Sequence, residues 1–286
     1  MPDSGRQVKI VTDSAADIPA ELARELDITV IPLLVHMGGS TFRDGLDLSG
    51  EEFYRRLESV RGVTTSSLPS LHSFEEAYRG LTRDGFEVVS IHLSSKLSGT
   101  FNAALMASTG DGVDAEAISV VDSRTVSMSQ GWIAIRCAEA ARQGQSREEV
   151  EALAESLVSQ TFIYGALDTL EYVIRSGRVG RIPGTLGNML SIKPVLTTRP
   201  NGEAIILERV RTEKRALERI VELTAEKGQP EALAVMHGAN EAGAAQLLQL
   251  LRERFSPPEP VVVAHIGAVL GTHIGPGAVG VAFLTK

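Results

Sequence analysis

Strand-like and helical segments alternate along almost the whole 286-residue chain, and this alternation limits the fold more than any other feature. The apolar runs VKIVT (8–12), ITVIPLLVHM (28–37), FEVVSIHLS (86–94), AISVVDS (117–123), FIYGALD (162–168), ALAVMHG (232–238) and VVVAHIG (261–267) read as strands. Helical patterns separate them at 18–27, 50–60, 71–83, 99–109, 130–143, 147–160, 212–227 and 241–255. Two of these helices open on Ser-x-x-Glu, Ser49 with Glu52 and Ser146 with Glu149, in which hydroxyl and carboxylate satisfy each other's free backbone N–H groups. Such alternation builds a largely parallel α/β sheet. Asn201-Gly202, between SIKPVLTT and EAIILERV, reads as a hairpin turn and adds an antiparallel part to the second half. The length exceeds what one core usually organises, so we expect two α/β domains, 1–160 and 161–286.

Composition narrows the class of partner. A net charge of −8 argues against a nucleic-acid or anionic-membrane surface. No apolar run approaches the ~18 residues of a membrane span, and MPDSGRQVKIV lacks the pattern of a secretory leader. Cys137 is the single cysteine, which excludes an intrachain disulfide and suits a reducing, cytoplasmic setting.

In a parallel α/β sheet, ligands bind beyond the carboxyl ends of strands, where loops lead into helices. LSSKLSGTFNAALMA (93–107) occupies such a corner and crowds it with hydroxyls: Ser94, Ser95, Ser98 and Thr100, beside Gly99. Ser98 reads as a residue at or near the helix N-cap, and equally as a group that holds an anion on the free N–H groups there. Other segments have the same polar character. RGVTTSSLPSLHSF (61–74) places Thr64, Thr65, Ser66 and Ser67 ahead of a helix, and VTDSAAD (11–17) and VVDSRTVS (120–127) end strands in Asp-Ser, the first as Asp13-Ser14. RSGRVGRIPG (175–184) carries Arg178 and Arg181, and GAVLGTHIGPGAVG (267–280) carries His273 in a stretch that reads as loop, too rich in glycine for a helix.

Taken in order, TDS, TTS…PS, SSKLSGTF, VDS, SGRV, IKPVL, RTEKRAL and GTHIGPGAVGVAF resemble the DegV family of bacterial fatty-acid-binding proteins, the B subunits of fatty acid kinase. The resemblance implies a two-domain fold that buries a long-chain fatty acid between or beneath the domains, with no other cofactor. The first domain would carry the carboxylate-binding loops. It also implies a non-catalytic role: the protein presents the fatty-acid carboxyl to a separate kinase subunit, which makes acyl-phosphate for phospholipid synthesis. Thr65, Ser98 and His273 fall on the family's carboxylate-binding positions, with Thr64, Ser66, Ser95, Gly99, Asp13 and Ser14 as further candidates. Arg178 matches the family's glycine-flanked arginine, and we expect it and Arg181 to face the kinase or the transferred phosphate. TTSSLPS is one residue longer here than the family's usual TTSQPS, so which of Thr64, Thr65 and Ser66 presents its hydroxyl stays open. Arg181 stands where the family more often has a small or polar residue.

Competing motifs fail on context. GPGAVG (275–280) matches a dinucleotide fingerprint, but a strand follows it where a helix is required. The chain has no P-loop and no G-x-S-x-G elbow. Its six histidines and one cysteine show no metal-ligand spacing. The best enzyme alternative is a hydrolase built from Ser98 and His273, with Asp13 or Asp122 as orienter.

Overall fold

A computed structural model of the chain describes residues 6–60, 62–179, 192–257, 259 and 261–285. Its first half runs β1 (Val8–Asp13), α1 (Ala20–Glu25), β2 (Ile28–Ile31), β3 (Leu34–Met37), β4 (Ser40–Arg43), α2 (Gly50–Leu57), β5 (Thr65–Ser67), α3 (Leu71–Arg83), β6 (Glu87–His92), α4 (Thr100–Ala107), β7 (Ile118–Asp122), α5 (Met128–Arg142) and α6 (Arg147–Val158). The second half runs β8 (Thr161–Ala166), α7 (Glu171–Ser176), β9 (Lys193–Thr198), β10 (Ala204–Val210), α8 (Glu213–Lys227), β11 (Ala232–His237), α9 (Glu241–Arg254), β12 (Val262–His265), α10 (Ala268–Ile274) and β13 (Val279–Leu284).

The expected α/β class holds in both halves. Strands β2-β1-β6-β7 form a wholly parallel sheet. Strands β10-β9-β8-β13-β11-β12 form a mixed sheet in which β11 and β12 are the parallel pair and the other pairings are antiparallel. A small antiparallel sheet, β4-β3-β5, was not foreseen. It arises because ITVIPLLVHM is two strands and not one. Pro32 breaks the run, and the freed backbone of Leu33 is held by the Ser14 hydroxyl on one side and by the Asp44 N–H on the other.

Helix α5 lies between the two large sheets. Only Arg136, Glu139 and Arg142 of its side chains escape burial, as expected of a helix with sheet on both sides. Its residues share one core with Val8 and Ile10 of β1 and with Ala234 and Ala282 of the second sheet. Trp132 Nε1 donates to the carbonyl of Ala282 (3.1 Å), satisfying its one polar atom across the two halves. Cys137 sits in this core, and burial pushes its thiol up to about 12, so it is packing material and not a nucleophile.

Two local expectations change. Ser146 and Glu149 form the full reciprocal capping box, whereas Ser49 accepts from the Glu52 N–H while the Glu52 carboxylate pairs with Arg55 and Arg56. The segment read as loop around His273 is helix α10. Gly271 is there for packing: a Cβ at this position would lie 2.6 Å from the Phe53 ring and 2.8 Å from the Tyr54 hydroxyl, so its absence lets α10 settle onto α2.

The β9–β10 hairpin closes the molecule. Arg199 and Gly202 bond through the turn, and Gly202 takes φ +89, the left-handed residue that ends a three-residue hairpin loop. The Gly202 carbonyl accepts from the buried Ser94 hydroxyl (2.8 Å), which ties the hairpin tip to the hydroxyl-rich corner of the first half. A Cβ on Gly202 would overlap the Ser94 Oγ. Gly202→Ala should therefore destabilise the protein by about 1–3 kcal/mol through combined strain and overpacking. Asn201→Ala should cost visibly less. Urea midpoints of the two variants check this, and equal midpoints would show that the tip does not need glycine.

Candidate ligand site

The carboxyl ends of β1 and β6 are locked by a buried polar chain. Asp13 accepts from the N–H groups of Ala15 (3.1 Å) and Leu93 (3.1 Å), and it pairs with His92 Nδ1 (2.9 Å). The far nitrogen of His92 meets Ser90 Oγ (2.7 Å), which accepts from Tyr78. This chain fixes where the corner at 93–99 leaves the sheet. Asp13 is thus a positioning group.

A second polar knot fixes α10. Asp17 accepts from the Gly267 N–H (2.9 Å) and Asp44 from the Ala268 N–H (3.0 Å), so two buried carboxylates occupy the free donors of one helix start. The Ser127 hydroxyl donates to Asp17 (2.5 Å), and the Ser14 side chain bonds Asp44. Ser127 adopts φ 61 and ψ −155, a backbone region that is costly for any residue with a side chain, and it keeps that conformation to hold Asp17. Burial pushes the Asp17 carboxyl up to about 8 and Asp44 up to about 6. Asp17, Asp44 and Ser127 had no local signature, because each is recognised only once β1, β4, α5 and α10 are brought together.

Helix α10 delivers His273 to the wall of a cavity of about 340 Å³ that lies between the two halves. Its lining is largely apolar and buried, with Tyr164, Leu167, Val173, Met236 and Ile266 each no more than 5% exposed. The same cavity is also lined by Ser66, Ser98, Gly99, Arg178 and His273, of which Gly99 and Arg178 are exposed. His273 Nε2 shares a 2.7 Å hydrogen bond with Ser66 Oγ, while its Nδ1 is buried without a partner. Burial, with the Arg178 guanidinium adding to it, pushes His273 down to about 4, so the ring is neutral near pH 7. Arg178 Nη1 donates to the Leu97 carbonyl (2.9 Å), next to Ser98.

The expected site residues divide into two groups. Ser66, Ser98, Gly99, Arg178 and His273 meet in one wall. Thr65 is exposed, paired with His36 on the opposite face of β5, and lies outside the cavity, so among the three adjacent hydroxyls Ser66 is the one that faces inward. Thr64 is buried with an unpartnered hydroxyl but does not line the cavity. Ser95 is held through its N–H by Asp122 (3.2 Å), and Ser14 supports Asp44. Ser98 is not the N-cap: Gly99 takes that position with no side-chain bond, and Ser98 Oγ instead accepts from the Thr100 N–H (3.3 Å) and meets its hydroxyl (2.8 Å). Arg178 was expected to face only a partner. It is exposed, yet it also forms part of the cavity wall. Arg181 lies outside the described residues. The Ser98–His273 hydrolase is not assembled: His273 pairs with Ser66, its Nδ1 has no carboxylate, Asp13 is committed to His92, and Asp122 serves the Ser95 and Arg124 N–H groups.

The buried acids make a pH prediction. A carboxyl at about 8 in the folded state and 3.8 unfolded keeps its proton longer when folded, so its contribution to stability is full below pH 3.8 and is lost as pH rises to about 8. Asn takes the left-handed φ of 51 at position 17 and has no charge to bury. Asp17→Asn should gain stability relative to wild type steadily between pH 4 and 8 in denaturant titrations. Curves that stay parallel across that window would rule out a buried, titrating Asp17.

The chain matches the family model described as "Uncharacterised protein, DegV family" over residues 7–286. It is 37% identical over 279 residues to a DegV domain-containing protein of Streptomyces coelicolor, covering 96% of this chain and 98% of the other. A solved structure of a DegV family protein from Thermus thermophilus, titled for its fatty acid binding, aligns with a TM-score of 0.88 at 31% identity, over 98% of this chain and 100% of that one. DegV from Bacillus subtilis, described as a fatty acid binding protein, aligns with a TM-score of 0.87 at 32% identity, over 99% and 100% of the two chains.

Proposed function

This chain belongs to the DegV family, and we propose that it binds a long-chain fatty acid, its tail in the cavity between the halves and its carboxylate on the wall formed by Ser66, Ser98, His273 and Arg178. The observation that carries this reading is one cavity that combines a largely apolar, buried lining with hydroxyls, an imidazole and an exposed guanidinium. A volume of about 340 Å³ belongs to the range of small-molecule pockets, roughly 300–1,000 Å³. Arg178 supplies the charge, and the hydroxyls of Ser66 and Ser98 supply direction. The protein does not catalyse. It presents the carboxyl to a separate fatty acid kinase, which transfers phosphate from ATP and passes acyl-phosphate to phospholipid synthesis. No helix among the described residues is long and apolar enough to cross a membrane, which fits a carrier that works in the cytoplasm.

Lipid extraction and mass spectrometry of the purified protein should find one monocarboxylic fatty acid per chain, and phospholipid alone would count against the proposal. A hydrogen bond to a carboxylate contributes about 1.5–3 kcal/mol, so Ser98→Ala and Ser66→Ala should each weaken the free acid roughly ten- to a hundred-fold while leaving the methyl ester little changed. Equal losses for acid and ester would place the carboxylate elsewhere. Arg178→Glu should abolish preference for the acid, and a variant that still binds acid but is no longer phosphorylated would return Arg178 to the kinase face alone.

A further inference from the structure

The opposite face of the second sheet carries a group of side chains that the lipid site does not use. Strands β11 and β12 are parallel and in register, so His237 and His265 end them side by side, with ring centroids 4.4 Å apart. Helix α9 begins four residues after His237, and its first residue is Glu241. One ligand atom from each of His237, Glu241 and His265 lies within 4.8 Å of the other two. Along β11, Ala232, Ala234 and Met236 face the shared core, and Met236 reaches the lipid cavity. Leu233 and Val235 face α8 and α9, so by alternation His237 belongs to that side.

His237 makes the group more than a surface coincidence. It is 4% exposed, and its Nδ1 is buried with no hydrogen-bond partner. A buried unpaired polar atom is costly, and native structures leave few of them unexplained. His265 and Glu241 are exposed and give an ion a route in.

We propose that His237, His265 and Glu241 bind a divalent transition ion of the Zn²⁺ class, separate from the fatty-acid site. Two imidazoles and one carboxylate are a common three-ligand set for Zn²⁺, leaving the fourth position to water. Coordination through Nδ1 of His237 gives that atom the partner it lacks. The ion joins the ends of β11 and β12 to the first turn of α9.

The sequence conceals this site because the ligands fall at 237, 241 and 265, across a strand end, a helix start and a second strand. Their spacing follows none of the short zinc patterns, and only the parallel register brings the histidines together.

The test uses metal-stripped full-length protein and ZnCl₂, with isothermal titration and a Zn²⁺-competing fluorescent chelator. We expect one tightly bound Zn²⁺ per chain and a raised Tm on loading. His265→Ala and Glu241→Gln, both at exposed positions, should each weaken Zn²⁺ by at least about tenfold, the loss that removing even an outer-shell partner produces. His72→Ala, away from the cluster, should change nothing, and fatty-acid binding should be retained in all three variants. Co²⁺ loading should give an intense visible band from low-coordinate Co²⁺ that His265→Ala removes. Zn²⁺ binding that is weak, of higher stoichiometry, or equally strong in His265→Ala and Glu241→Gln would overturn the proposal.

Discussion

Two buried carboxylates on the first turn of one short helix are the constraint on which the rest of the site depends. Asp17 comes from the turn after β1 and Asp44 from the loop after β4, yet both end on consecutive N–H groups of α10, more than 200 residues away in sequence. Charged carboxylates at this depth carry a heavy desolvation cost, which the helix N–H groups and the Ser127 and Ser14 side chains offset only in part. The arrangement persists because it satisfies donors that α10 cannot satisfy itself. In return it sets the axial position of α10, and with it His273 at the helix's far end. The side of α10 is then held by the contact of Gly271 with Phe53 and Tyr54. A helix of seven residues has little stability of its own, so both contacts are needed to keep the imidazole on the cavity wall.

How much of this was legible depended on the range of the forces involved. The parallel strands and most helices follow from hydrophobic period and local capping, and those were readable. The break at Pro32 was present in the sequence, but a ten-residue apolar run outweighed it, so the small sheet β4-β3-β5 stayed hidden. Helix α10 was hidden for the opposite reason. Its Gly271 looks like a helix breaker until Phe53 and Tyr54 are seen to occupy the space its side chain would need. Of the candidates, Ser98 and Gly99, named from the strand-to-helix corner, and His273, named from its motif, line one cavity. That Ser66 lines the cavity and Thr65 does not depends on how β5 is placed beside β3, a pairing that no local pattern reveals. Asp17, Asp44 and Ser127 are long-range partners, and nothing short-range distinguishes them from ordinary turn residues.

The cavity separates affinity from orientation. On the proposed reading, each buried methylene contributes about 0.8 kcal/mol, so a tail of ~16 carbons gives on the order of 12 kcal/mol before ordering costs. The head group then needs no deep electrostatic trap, and the wall offers none: one guanidinium, two hydroxyls and an imidazole that is neutral near pH 7.

The neutrality of His273 sharpens that point. Its ring is pushed down by burial and by Arg178, with no acid beside it to oppose them. A carboxylate arriving on the same wall does oppose them, because an adjacent negative charge favours the imidazolium. Loading the acid therefore draws His273 back toward protonation and partly cancels the repulsion from Arg178, whereas loading an ester does not. A wall of this composition distinguishes the ionised acid from its neutral derivatives even though the tail supplies nearly all the affinity.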